Sequence, residues 1–234
     1  MIAAERLAFV NDYLFGVMTE MLRTRGVEDS GFYNFYRARI EDERTALSGY
    51  DRILLSYITS NFNPAHRPVV HAGIGLGTLA SALAIGGFTV GGVEEDGRRF
   101  QAATQLRMAV TEMWPEVDER YELIQGSFPR VALDTKWLGA STILIFTNCG
   151  SGWSEELTEE VISVFPRFGD VILDARLFGT IRDLPEEHAA LLARIEKHGM
   201  AARPIPETNP LGAYYHHIRP HLDGPWPSTT LRIS

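Results

Sequence analysis

The stretch Val69-Val70-His71-Ala72-Gly73-Ile74-Gly75-Leu76-Gly77 constrains the fold of this chain more than any other. Its β-branched start reads as a strand, its glycines as a sharp turn, and residues 78–85 as a helix closed by Gly86-Gly87. The same alternation then repeats. Strands are predicted over 68–72, 89–94, 121–125, 142–147 and 171–174, and further helices over 98–113, 154–164 and 184–198. Short apolar runs alternating with helices predict a Rossmann-like, doubly wound α/β sheet, mostly parallel, with helices on both faces. Two last strands, over 201–206 and 213–218, flank Thr208-Asn209-Pro210-Leu211-Gly212. Those turn residues predict an antiparallel C-terminal hairpin, giving seven strands.

Ahead of the sheet, residues 1–62 read as a helical region. Leu7, Val10, Leu14, Met18 and Met21-Leu22 recur at helical spacing, and Gly26 with Asp29-Ser30-Gly31 breaks the pattern. Amphipathic stretches follow over 33–47 and 50–58, and Asn63-Pro64 ends the second. The expected division is therefore 1–62, helical, and 63–234, the α/β unit. No apolar run is long enough to span a membrane, and no secretory signal is recognised. The single cysteine, Cys149, excludes an internal disulfide and suits a reducing, cytoplasmic setting. Lys and Arg total 22 against 30 Asp and Glu, a formal charge of −8, which argues against a broad grip on nucleic acid or an anionic membrane.

The glycine loop has GxGxG spacing. A dinucleotide fingerprint requires a glycine where Thr78 stands. Glu94 ends the next strand, about 20 residues beyond the first glycine, where a carboxylate accepts hydrogen bonds from the hydroxyls of an adenosine ribose. Gly73, Gly75, Gly77 and Glu94 are thus candidate binding residues for an adenosyl ligand; the plain alternative is a tight turn beside an exposed acid. His71 either hydrogen-bonds the loop or ligand, or packs as a core histidine.

Several segments, in the same order along the chain, resemble the disruptor-of-telomeric-silencing family of histone lysine methyltransferases. Gly91-Gly92-Val93-Glu94 resembles its acidic strand end, Gln125-Gly126-Ser127-Phe128 its Gly-Asp-Phe segment, Ile145-Phe146-Thr147-Asn148 its Phe-Val-Asn strand end, and Ala213-Tyr214-Tyr215-His216-His217-Ile218 its Tyr-Tyr strand. The resemblance covers about residues 48–220 and implies the seven-stranded fold with S-adenosylmethionine as cofactor. It places Glu94 at the ribose, Ser127 and Phe128 beside the adenine, Asn148 facing the methyl group, and Tyr214 or Tyr215 lining the acceptor channel. The chain departs from the family in three ways. Ser127 replaces an aspartate, an acidic loop before the first strand has no counterpart, and the basic nucleosome-binding tail is missing.

Methyl transfer from a sulfonium is an in-line displacement that depends on alignment. The Asn148 carbonyl can accept a hydrogen bond from an amine; otherwise it is a turn residue. Only one of Tyr214 and Tyr215 can face a given side of the sheet, either lining a slot or packing. His216 and His217 point to opposite faces and cannot readily share a metal ion. The reading is S-adenosylmethionine-dependent methyl transfer to a small-molecule or protein side-chain acceptor, nitrogen favoured. The alternatives are aminocarboxypropyl transfer from the same cofactor and a non-catalytic protein that binds it. No nucleic-acid or membrane partner is expected, and the sequence admits a homodimer without specifying one.

Overall fold

The computed structural model describes residues 4–24, 34, 36–147, 154–174, 185–205, 215–221 and 226. Seven strands form one sheet: β1 (Val69–Ala72), β2 (Val90–Glu94), β3 (Tyr121–Gln125), β4 (Gly139–Phe146), β5 (Phe168–Asp174), β6 (Ala201–Pro204) and β7 (Tyr215–Arg219). Their order is β3-β2-β1-β4-β5-β7-β6. β1 to β5 run parallel, and β7 lies antiparallel between β5 and β6. This is the mostly parallel sheet with a terminal hairpin that the alternation of the sequence predicts. β4 and β5 begin earlier than their apolar cores suggest. Gly169 admits the pairing, because a Cβ there would lie 1.9 Å from the Ala140 carbonyl oxygen.

Helices α1 (Ala4–Thr24), α2 (Gly49–Asn61), α3 (Thr78–Ile85) and α4 (Gly97–Met113) cover one face of the sheet. Helices α5 (Glu155–Val164) and α6 (Pro185–Lys197) cover the other. The buried side chains divide accordingly. One cluster runs from Val10, Leu14 and Met18 through Leu54 and Ile58 to Ile145, Ile172 and Tyr215. The second gathers Val70, Leu144, Leu173, Val161 and Ile195. Each fully buried aliphatic side chain contributes about 1.5–3 kcal/mol. The N-terminal helices thus share a core with the sheet and are fastened to it by several such residues.

The stretch over 33–47 departs from its amphipathic pattern. The described part passes from helix at 36–38 into a π turn, Arg39–Glu43, and stops at Arg44, in the left-handed region at φ 50°. Tertiary bonds displace the helical ones. The Asn11 side-chain oxygen accepts from Ala46 N–H, Leu47 N–H and the Thr45 hydroxyl. Buried Arg39 donates to the Ala46 carbonyl and to Asp51. Ser48 then starts α2 with a reciprocal cap: its hydroxyl accepts from Asp51 N–H, and the Asp51 carboxylate accepts from Ser48 N–H. Among the described residues no helix is long and apolar enough to cross a membrane.

Candidate functional site

The strand register sets out the site. Val93 pairs with Ala72, Ala72 with Phe146, Phe146 with Leu173, and Asp174 with Tyr215. One residue further, Glu94, Gly73, Thr147, Asp174 and Tyr215 form a row across the carboxyl edge of the sheet. Side chains alternate along a strand, so this row shares its face with Ile145 and Ile172 and looks towards the N-terminal helices. The carboxyl edge of an open α/β sheet is where such folds bind ligands.

Gly73, Gly75 and Gly77 all have left-handed backbone, at φ 69°, 59° and 79°. A side chain in this region costs about 1–2 kcal/mol per residue, so the turn requires glycines. The turn brings Gly75 N–H to the Glu94 carboxylate at 2.9 Å, and Asp96 N–H reaches the other carboxylate oxygen at 3.1 Å. Glu94 is therefore buried rather than exposed. Burial raises its carboxyl pKa, opposed by the Asp96 and Gly75 N–H groups and by Arg99. Each carboxylate oxygen offers more than one lone pair, so both retain capacity to accept from a ligand. Leu76 N–H points to the Tyr36 hydroxyl at 3.4 Å, and burial pushes that phenol up to about 12. Tyr36 thus lies against the loop at Leu76.

Gly77 has a different reason to be glycine. A Cβ there would sit 2.6 Å from the Tyr121 hydroxyl of β3. Among the described residues that buried phenol makes no hydrogen bond of good geometry, although Ser81 is close enough to influence it. Gly77 therefore serves the packing of α3 against β2 and β3, whereas Gly75 presents its N–H to Glu94.

His71 is buried in β1, and desolvation lowers its pKa to about 4, so the ring is neutral. Its Nε2 shares a hydrogen bond with the Thr147 hydroxyl at 2.9 Å, and its buried Nδ1 has no hydrogen-bond partner among the described residues. Further along the row, Asp174 is 1% exposed and Tyr215 fully buried. The ring of Tyr50, in the first turn of α2, packs against Tyr215 at 5.7 Å between centroids. At the other end, Gly126 N–H is bonded to the Glu94 carbonyl, which holds the exposed Ser127 close to Glu94. Phe128 packs edge-on against Phe146, at 5.1 Å, within the cluster on the opposite face. Asn148 and Tyr214 lie outside the described residues.

The two histidines of β7 diverge. His216 is in register with Leu173, and His217 with Ile172. His217 Nδ1 meets the Tyr57 hydroxyl at 2.9 Å, and its Nε2 meets Asp170 at 2.6 Å. Arg67 pairs with the same carboxylate. Sequence reasoning passed over Asp174, Thr147 and Tyr36. Asp174 carries the signal that picked out Glu94, an acid ending an apolar strand. Tyr36 carries none, since its contact with Leu76 depends on how the N-terminal segment folds back.

No protein-family model matches the sequence, and no curated protein matches it. Solved structures do match. The methyltransferase domain of a bacterial Hen1 (CtHen1-C) is 18% identical with a TM-score of 0.52, over 72% of this chain and 94% of that one. The magnesium protoporphyrin IX methyltransferase of Synechocystis PCC 6803, with bound S-adenosylhomocysteine, is 14% identical with a TM-score of 0.50, over 90% and 97%. A Corynebacterium glutamicum protein is likewise 14% identical with a TM-score of 0.50, over 90% and 98%. At such identities the likeness is one of fold, and it agrees with the strand order and the antiparallel β7. The chain has the Rossmann-like fold of S-adenosylmethionine-dependent methyltransferases.

Proposed function

We propose that this protein is an S-adenosylmethionine-dependent methyltransferase acting on a small molecule or a protein side chain, with nitrogen as the favoured acceptor atom. One observation carries the reading: the buried Glu94 carboxylate, fixed by Gly75 N–H and Asp96 N–H beside three left-handed glycines at the carboxyl edge. A carboxylate held this way suits two ribose hydroxyls, and the loop backbone lets a ligand approach closely. The residues present fit the cofactor. Glu94 would take the ribose, the Gly73–Gly75 backbone the adjoining chain, and Ser127 the adenine side. When bound, the cofactor supplies a methyl group on a positively charged sulfur. Thr147 and neutral His71 offer hydrogen bonds without charge at the centre of the row. The segments that resemble the histone lysine methyltransferase family support the same cofactor. They also support roles for Asn148 and for Tyr214 or Tyr215 near the transferred group.

Calorimetry with S-adenosylmethionine, S-adenosylhomocysteine and NAD tests the reading. Both adenosyl ligands should bind and NAD should not. Glu94→Ala should weaken S-adenosylhomocysteine by about 1.5–3 kcal/mol, the scale of hydrogen bonds to a charged group. Tight NAD binding with neither adenosyl ligand bound would overturn the assignment, and an unchanged affinity in folded Glu94→Ala would remove Glu94 from the site.

A further inference from the structure

The glycine loop spends its own donors. Gly73 N–H and Ile74 N–H both bond the Val93 carbonyl, at 2.9 and 3.1 Å, and Gly77 N–H bonds the Ile74 carbonyl at 2.9 Å. Gly75 N–H is held by Glu94, and Leu76 N–H meets the Tyr36 hydroxyl at 3.4 Å. Every backbone N–H from Gly73 to Gly77 thus has an acceptor within the protein. A carbonyl oxygen has two lone pairs, so the loop still offers acceptors to a ligand. It has no N–H to spare. S-adenosylmethionine and S-adenosylhomocysteine both end in an amino acid. The ammonium of that end suits carbonyl oxygens, and its carboxylate requires a donor from elsewhere.

His71 stands two residues before Gly73, about 7 Å back along β1 and on the same face of the sheet. Ile145 is in register with His71, which sets Thr147 beside Gly73. The His71 ring reaches Thr147 through Nε2, so it leans towards the carboxyl edge and the loop. Of the buried side-chain atoms without a hydrogen-bond partner among the described residues, Nδ1 of His71 is the one on β1, on a residue 2% exposed. Leaving such an atom unpaired costs about 1–3 kcal/mol. Desolvation keeps the ring neutral, with a pKa of about 4, so it carries a single ring proton. When the Thr147 hydroxyl donates to Nε2, that proton sits on Nδ1, and the unpaired atom is a donor.

We propose that His71 reads the amino-acid end of the cofactor, its Nδ1–H donating to the ligand carboxylate while Thr147 fixes the tautomer. The inference rests on the methyltransferase reading and names the residue that recognises this end. The carboxylate supplies the acceptor that the ring lacks, and the ammonium beside it turns to the loop carbonyls. A neutral donor suits this ligand. S-adenosylmethionine carries two positive groups, the ammonium and the sulfonium, and a lysine or arginine at position 71 would repel both. With Glu94 at the ribose and His71 at the carboxylate, the ligand is held on both sides of its sulfur, which fixes the direction of the methyl group.

The test is calorimetry on the full-length chain with S-adenosylhomocysteine, its decarboxylated analogue, and methylthioadenosine, which lacks the amino-acid end. Wild-type protein should bind S-adenosylhomocysteine at least about tenfold tighter than the decarboxylated analogue, the scale of one hydrogen bond to a charged group. An amide side chain copies one ring nitrogen at a time. His71→Gln keeps a polar group where Nε2 meets Thr147 and loses the one at Nδ1. It should weaken S-adenosylhomocysteine by at least about tenfold and leave methylthioadenosine within about twofold. His71→Asn, with its amide near Nδ1, should recover most of that loss. Folded His71→Gln that weakens both ligands equally, or neither, overturns the proposal. So does wild-type protein that ignores the carboxylate, whether or not the variants fold. Nitrogen NMR of histidine-labelled wild type decides without any variant: the His71 Nδ1 signal should move with S-adenosylhomocysteine and stay with methylthioadenosine, and the same response to both overturns the contact. Wild-type protein that binds none of the three ligands overturns the methyltransferase reading instead, so the two failures are distinguishable.

Discussion

Gly77→Ala separates what the glycine loop does for folding from what it does for binding. Two costs add. The left-handed φ of 79° disfavours any side chain by about 1–2 kcal/mol. The new methyl would lie 2.6 Å from the Tyr121 hydroxyl, which is 1% exposed and enclosed by the core. Overpacking of this kind costs about 1–3 kcal/mol. The sum is about 2–5 kcal/mol, read as a fall in the urea midpoint at unchanged slope. Tyr121→Phe removes the atom that the methyl meets, and because that hydroxyl lacks a well-formed hydrogen bond the single substitution should be near neutral. The double variant Gly77→Ala/Tyr121→Phe should recover the packing part and keep the backbone part, about 1–2 kcal/mol. Affinity for S-adenosylhomocysteine, measured where each variant is folded, should change little, because Gly75 N–H and not Gly77 meets Glu94. Additive effects of the two substitutions would refute the clash, and a folded Gly77→Ala protein that has lost the ligand would refute the division of labour within the loop.

Two further outcomes follow from buried titratable groups. His71 has a folded pKa of about 4 against 6.5 unfolded, so between those values the unfolded chain takes up a proton that the native state refuses, and stability falls as pH falls. Urea titrations from pH 7 to pH 4 should show up to about 3 kcal/mol of this loss in wild type and a shallower slope in His71→Gln; equal slopes would disprove the assignment. The partners of Asp170, first His217 and then Arg67, hold its carboxyl below the ordinary range against the effect of burial, so its stabilisation exists above the unfolded value and is lost as pH falls through the folded one. Asp170→Asn should cost about 3–5 kcal/mol at neutral pH by leaving Arg67 and His217 without their carboxylate, and a loss under 1 kcal/mol by chemical denaturation would contradict the network.

The parallel sheet was legible because β1, β2, β4 and β5 are apolar runs bounded by glycine, helix caps or acid. Burial on both faces of a central strand produces that pattern. Glu94 was legible for the same reason, as a charge at the end of such a run. The strand starts were less so. Gly139, Ala140 and Ser141 precede the strongly apolar run, yet β4 includes them, since Gly169 lets the neighbouring backbone approach. The fate of residues 39–47 was not legible. Its helical periodicity is real, but Asn11 and Asp51, distant or later in sequence, offer competing hydrogen bonds that only the tertiary fold brings within reach. His71 was left between two readings; the structure packs it in the core and bonds its Nε2 to Thr147 of the edge row.

The amino side of the sheet bears on its carboxyl edge through helix α2. Tyr57 of α2 is joined to His217 of β7, and His217 to Asp170 of β5, all within the core. Tyr50, two turns earlier on the same helix, packs against Tyr215, two residues earlier on the same strand. Two turns span about 10 Å of helix and two residues about 7 Å of strand, so both contacts connect the same pair of rigid elements at different heights. The buried chain fixes α2 against β7 at one level, and the tyrosine pair is thereby held at the other, beside Asp174. A substitution at Asp170 that leaves the protein folded should therefore loosen the Tyr50–Tyr215 contact, read as faster hydrogen exchange of the Tyr215 amide, without touching Glu94. Coupling of this kind needs no contact with the ligand, since small displacements of packed groups carry large effects where reacting atoms must align.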